Sequence, residues 1–240
     1  MTTTDQQPQQ QRRRRRRITG IAAIVFLVVI AAVAVFVAVT GGESSSPRPV
    51  PPSRPSAPAP STDSPVEGNQ ALPTRAPQVR WEVVQGIALP ISQEAGPGMQ
   101  GGAVAADYQR SPVGALLASM QISTRYLVLP GDGWRQVTEH QVLPGPGRDA
   151  YIKARSSAGD DLGSARSQFA GFRFVTYTPD EAVIQLASRA ANGGLVGTTV
   201  TVRWSEGDWK LELQPNGAVS PGATQLADLS YYTPFSAGVN

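Results

Sequence analysis

The sequence predicts an α+β protein: an N-terminal transmembrane helix, a Pro-rich linker, and a domain in which helices pack on one face of a curved antiparallel sheet. Three observations carry that expectation. An uncharged apolar run, 18–40, follows six consecutive arginines. Ten of the 21 prolines fall within 41–79. From residue 80 onward the apolar pattern changes from a helical period to strict alternation.

The cytoplasmic basic tail, 1–17, carries Arg12, Arg13, Arg14, Arg15, Arg16 and Arg17. Their six positive charges exceed the net charge of +3, and without them the rest of the chain has 15 basic against 18 acidic residues, so the pI near 9.5 belongs to this run. From residue 80 there are 12 basic against 14 acidic residues, a balance of −2. A nucleic-acid partner is therefore not expected, because that would require a basic face on the folded part. The apolar run that follows reaches roughly 34 Å as a helix, enough for a hydrocarbon core of about 30 Å. Arginines on its N-terminal side orient the N-terminus to the cytoplasm and everything after 41 outside the cell membrane. The arginines read first as fixing orientation, with binding to anionic lipid headgroups or to a cytoplasmic acidic partner as the alternative. A cleaved signal peptide has a shorter core and ends at a small-residue site, which Val37-Ala38-Val39 does not supply. Ala34 and Ala38 form a small-xxx-small pair that ordinary alanine content also explains.

Segment 41–79 shows no apolar periodicity. Its composition predicts a disordered, polyproline-like spacer, on the order of 120 Å if fully extended.

All four Trp, all six Tyr and four of six Phe lie in 80–240. Val79 to Pro90 reads as one β-like stretch, and a Gly-rich loop follows. Ser111 and Pro112 read as an N-cap and first-turn proline opening a helix, with Leu116, Met120, Tyr126 and Leu127 as buried positions. Shorter helices are expected near Trp134 to Gln141 and Asp149 to Ser156. Phe172 and Phe174 then alternate with Arg173 and Val175, and a strand follows from Ala182. Asn192-Gly193-Gly194 is a hairpin signal. Val200, Val202 and Trp204 alternate with polar residues, Glu206-Gly207-Asp208 makes a turn, and Trp209, Leu211 and Leu213 alternate again. Trp204 and Trp209 are core candidates. Tyr231, Tyr232 and Phe235 are candidates to dock the C-terminal tail on the domain.

A helical half led by Ser111-Pro-x-Gly-Ala-Leu-Leu-Ala118 precedes a meander ending in Val200-x-Val-x-Trp-x-x-Gly-Asp-Trp-Lys-Leu211. This layout resembles the NTF2-like cone. With one span and a short basic tail it also resembles bitopic inner-membrane components of type IV secretion and conjugation machines, and actinobacterial membrane proteins of mobile elements. The resemblance covers 80–213 loosely and 199–213 best. It implies an extracytoplasmic NTF2-like domain that assembles with other envelope proteins. Further copies of the same chain stay open as partners. A lipid- or small-molecule-binding accessory of envelope transport is the alternative. The long Pro-rich spacer departs from the Gram-negative secretion components.

Chemistry is thinly represented. There is no cysteine and one histidine, His140, so thiolate and two-imidazole sites are excluded. Gly96-x-Gly98-x-x-Gly101 matches a dinucleotide fingerprint literally, but Pro97 sits inside it and no acidic partner follows at the required distance, so it reads as a loop. Asp160-Asp161 lacks calcium-loop spacing. Acids such as Asp180 or Glu181 are the conceivable lining of a pocket. The expectation is a binding protein without catalytic residues, cofactor or metal.

Overall fold

The computed structural model describes residues 71–158 and 167–238. The basic tail, the apolar run 18–40, the linker up to residue 70 and Asp160-Asp161 lie outside the described residues. Among the described residues no helix is long and apolar enough to cross a membrane.

The chain opens with a hairpin, β1 (Arg80–Val84) and β2 (Ile87–Ile91). Three helices follow: α1 (Pro112–Val128), α2 (Gly133–Gln141) and α3 (Pro146–Ala158). Then come β3 (Gln168–Tyr177), β4 (Glu181–Arg189), β5 (Leu195–Ser205), β6 (Asp208–Glu212), β7 (Ala223–Leu226) and β8 (Thr233–Pro234). The larger sheet has the order β6-β5-β4-β3-β8, with β7 also on β5, and every pairing is antiparallel. The architecture is α+β.

Helix α1 begins as its sequence dictates. Ser111 is extended, and its Oγ accepts from the Gly114 N–H at 3.0 Å, satisfying one orphan donor of the first turn. Pro112 follows, where its missing N–H costs nothing. The helix is buried on nearly all sides because it lies between the sheet, β2 and α2. Leu116, Leu117, Met120 and Ile122 are fully enclosed, each contributing roughly 1.5–3 kcal/mol of apolar burial. Leu127 departs from expectation: it is 39% exposed, on the side of the final turn away from the buried Arg125 and Tyr126.

The strand alternation holds in detail. Val200, Val202, Trp209 and Leu211 are buried toward the helices. Arg203, Lys210, Glu212 and Glu181 occupy the opposite face, where Arg203 bonds Glu181 at 2.5 Å and Glu212 at 2.7 Å. Register shifts between Phe169/Gly171 and Phe174/Thr176 place two bulges in β3, which bend the sheet.

The first strand is divided, contrary to the single stretch expected. Gln85 and Gly86 both have positive φ, 50° and 82°, and turn the chain back as a tight hairpin. Glu206 and Gly207 (55° and 83°) make the equivalent turn between β5 and β6.

Candidate functional site

The tail after β6 organises the surface. β7 runs along β5, pairing Leu195 with Leu226 and Thr198 with Ala223. β8 pairs with the opposite edge of the sheet, Phe172 with Thr233. Between them the chain crosses the outer face. Tyr232 lies there, its hydroxyl donating to Gln185 Oε1 at 2.7 Å and the Arg173 guanidinium 5.5 Å from its ring centre. Gly197 makes room for the crossing, since a Cβ there would stand 3.0 Å from the Tyr232 hydroxyl oxygen. The tail then turns under the sheet edge. The Phe235 N–H donates to the Ala170 carbonyl at 3.1 Å, and its buried ring meets Trp81 at 5.0 Å and Phe172 at 5.7 Å.

The expected docking residues therefore divide. Phe235 enters the core and Tyr232 clasps the outer face. Tyr231 is 82% exposed and docks on nothing, a correction to the expectation that places all three against the domain. Both tyrosines lie in the turn that precedes β8, which the Tyr232 N–H closes by donating to the Leu229 carbonyl at 2.9 Å.

Trp209 is fully buried, and its indole N–H donates to the Gln109 carbonyl at 3.0 Å. Trp204 is partly buried under the Arg110 guanidinium. Rings run in sequence from Trp81 through Phe235, Phe172, Phe174, Tyr177 and Trp209 to Trp204, with successive centres 5.0 to 6.3 Å apart. Offset and edge-on pairs at these distances are favourable.

Below the hairpin, Arg125 of α1 is buried. Its Nε donates to Gln121 Oε1 at 2.8 Å, it forms an ion pair with Glu82 of β1, and it donates to the carbonyls of Gly102 and Ala103 at 3.3 Å. Gln121 in turn donates to the Pro90 carbonyl at 3.0 Å. The hairpin and the Gly-rich loop are thus held to α1 by a single side-chain network, and the fingerprint-like glycines serve as a loop. Asp208 accepts from the N–H groups of Asp107, Tyr108 and Trp209, tying the far end of that loop to the β5–β6 turn. Burial raises the Asp208 pKa in spite of those bonds. Burial likewise raises the phenol pKa values of Tyr108, Tyr126 and Tyr151.

Asp180 and Glu181 are held in surface ion pairs. Asp180 is exposed and pairs with Arg110, and Glu181 pairs with Arg203. His140 is exposed at the end of α2. Among the described residues no three His, Cys, Asp or Glu side chains come together to hold a metal ion.

A cleft of about 430 Å³ opens where the hairpin, the start of β3, the end of β4 and the tail converge. Trp81, Ala88, Phe169, Ala170, Leu229, Pro234 and Ala237 give it apolar walls, and Gln168, Arg189 and Ser236 add polar groups. Gln168 is fixed by the hairpin: its Oε1 accepts from the Ala88 N–H at 3.0 Å and its Nε2 donates to the Gly86 carbonyl at 2.7 Å. No sequence signal marks this cleft, because its residues come from four separate segments.

The family model described as Domain of unknown function (DUF8175) matches residues 42–234. The chain belongs to this family. The matched segment begins two residues after the predicted span and takes in the Pro-rich linker, the three helices, both sheets and the tail as far as β8. The crossing of the outer face is therefore part of the family's unit. No curated protein and no solved structure matches the chain.

Proposed function

We propose that this protein is a single-pass membrane anchor whose external domain, with an NTF2-like fold, assembles with other envelope proteins in a conjugation or type IV secretion apparatus. The six arginines and the apolar run support the topology, with the N-terminus cytoplasmic and 80–240 extracytoplasmic. Three helices followed by an antiparallel meander support the fold.

One observation carries the binding role. The helix-facing side of the sheet is filled by Phe172, Trp209, Tyr126 and Leu116, all buried. With that face packed by its own side chains, the outer surface is the face left for a protein partner. There the paired charges of Arg203, Glu181 and Glu212 and the clasped tail offer a fixed polar face.

Photo-crosslinking in cells, from positions on the outer face of the full chain, tests this reading. Recovery of specific envelope proteins supports it. Recovery of lipid or of no protein overturns it. A reporter fused after residue 79 that is active only in the cytoplasm overturns the orientation.

A further inference from the structure

We propose that the cleft beside the hairpin binds a small amphipathic carboxylate, with its apolar body against Trp81, Phe169, Leu229 and Pro234 and its carboxylate on Arg189. This goes beyond the protein-binding reading and does not rest on it, since the cleft lies at the end of the sheet and not on its charged outer face.

Two features select that ligand chemistry. The walls are mostly apolar, and a volume of about 430 Å³ falls in the range of small-molecule sites. The charged lining group is Arg189, at the end of β4. Arg110, Arg125 and Arg203 pair with carboxylates, of Asp180, Glu82, and Glu181 with Glu212, and Arg80 and Arg173 bond the side-chain amides of Gln100 and Gln185. Arg189 has no carboxylate partner among the described residues. Its one bond there is a long one, 3.3 Å, from one terminal nitrogen to the Gly193 carbonyl in the adjoining turn. The rest of the fork is open, and a guanidinium fork matches a carboxylate bidentately. Gln168 cannot take that role, because the hairpin already holds both ends of its amide. A purely apolar ligand would leave the guanidinium unused, and a purely ionic one would leave the indole and phenyl walls uncovered.

The test uses the full chain in neutral-lipid nanodiscs and two photoreactive probes, 4-benzoylbenzoate and its uncharged amide. The carboxylate is expected to label peptides containing Trp81, Phe169 or Leu229 in preference to the amide. Arg189→Gln is expected to lower carboxylate labelling about fivefold, the size of a partly exposed charge pair, and to leave amide labelling unchanged. Arg189→Lys keeps the charge but not the fork and is expected to fall between. Arg189 is exposed, so neither variant disturbs the core, and circular dichroism of each verifies the fold. Equal labelling by both probes, labelling confined to other peptides, or carboxylate labelling that Arg189→Gln leaves intact each overturns the proposal.

Discussion

The hydroxyl of Tyr232 donates to Oε1 of Gln185 at 2.7 Å, joining the tail to the middle strand of the sheet across its outer face. Gln185 also accepts from Arg173 Nε at 2.8 Å, so removing the phenol does not orphan the amide. Tyr232→Phe is therefore expected to cost about 1 kcal/mol, measured by urea unfolding. Gly197→Ala is expected to cost more in the wild type than in Tyr232→Phe, because the oxygen that its Cβ would crowd is gone in the second background. Strict additivity of the two changes would contradict the clasp.

Two aromatic residues four positions apart have opposite weights. Phe235 is buried between Trp81 and Phe172, and Phe235→Ala is expected to cost about 3–5 kcal/mol. Tyr231→Ala is expected to stay within about 0.5 kcal/mol of the wild type. Comparing their thermal midpoints decides the matter, and equal losses would mean that the tail is seated differently.

The buried Arg125 holds the hairpin and the Gly-rich loop together. Arg125→Met strips Glu82 and Gln121 of their partner and is expected to cost about 3 kcal/mol. Glu82→Gln leaves Arg125 its bonds to Gln121 and two carbonyls and is expected to cost about 1 kcal/mol. Denaturant midpoints in the reverse order would show that the carboxylate, not the guanidinium, organises the network.

Asp208 gives a pH signature. Its folded pKa is raised by burial, so the folded chain binds that proton more tightly than the unfolded chain does. The stability this contributes is fully present below the unfolded value of about 3.9 and is lost as pH rises through the folded value. The advantage of the wild type over Asp208→Asn is therefore expected to grow as pH falls from 7 to 4. Unfolding curves of both proteins at the two pH values measure it, and an advantage that stays level or shrinks on acidification refutes the assignment.

Much of the sheet is legible in the sequence because alternation has a local cause. Val200, Val202, Trp209 and Leu211 are apolar for the face on which they lie, and Ser111-Pro112 marks the start of α1 by capping chemistry alone. The β1–β2 turn is not legible, because Gln85 takes a left-handed conformation that its side chain does not advertise. The tail is not legible as strands either. β7 has four residues and β8 two, and both exist only through pairing with distant partners. The cleft escapes sequence reading for the same reason: Trp81, Phe169, Arg189 and Pro234 share no motif and meet only in the folded chain.

By lying along β5 and then along β3, the tail occupies backbone hydrogen-bonding positions at both margins of the sheet. Unpaired margins of this kind recruit strands from other molecules. The segment from Ala223 to Pro234 thus covers those positions from within the chain, and its detachment would expose them to strands of other molecules.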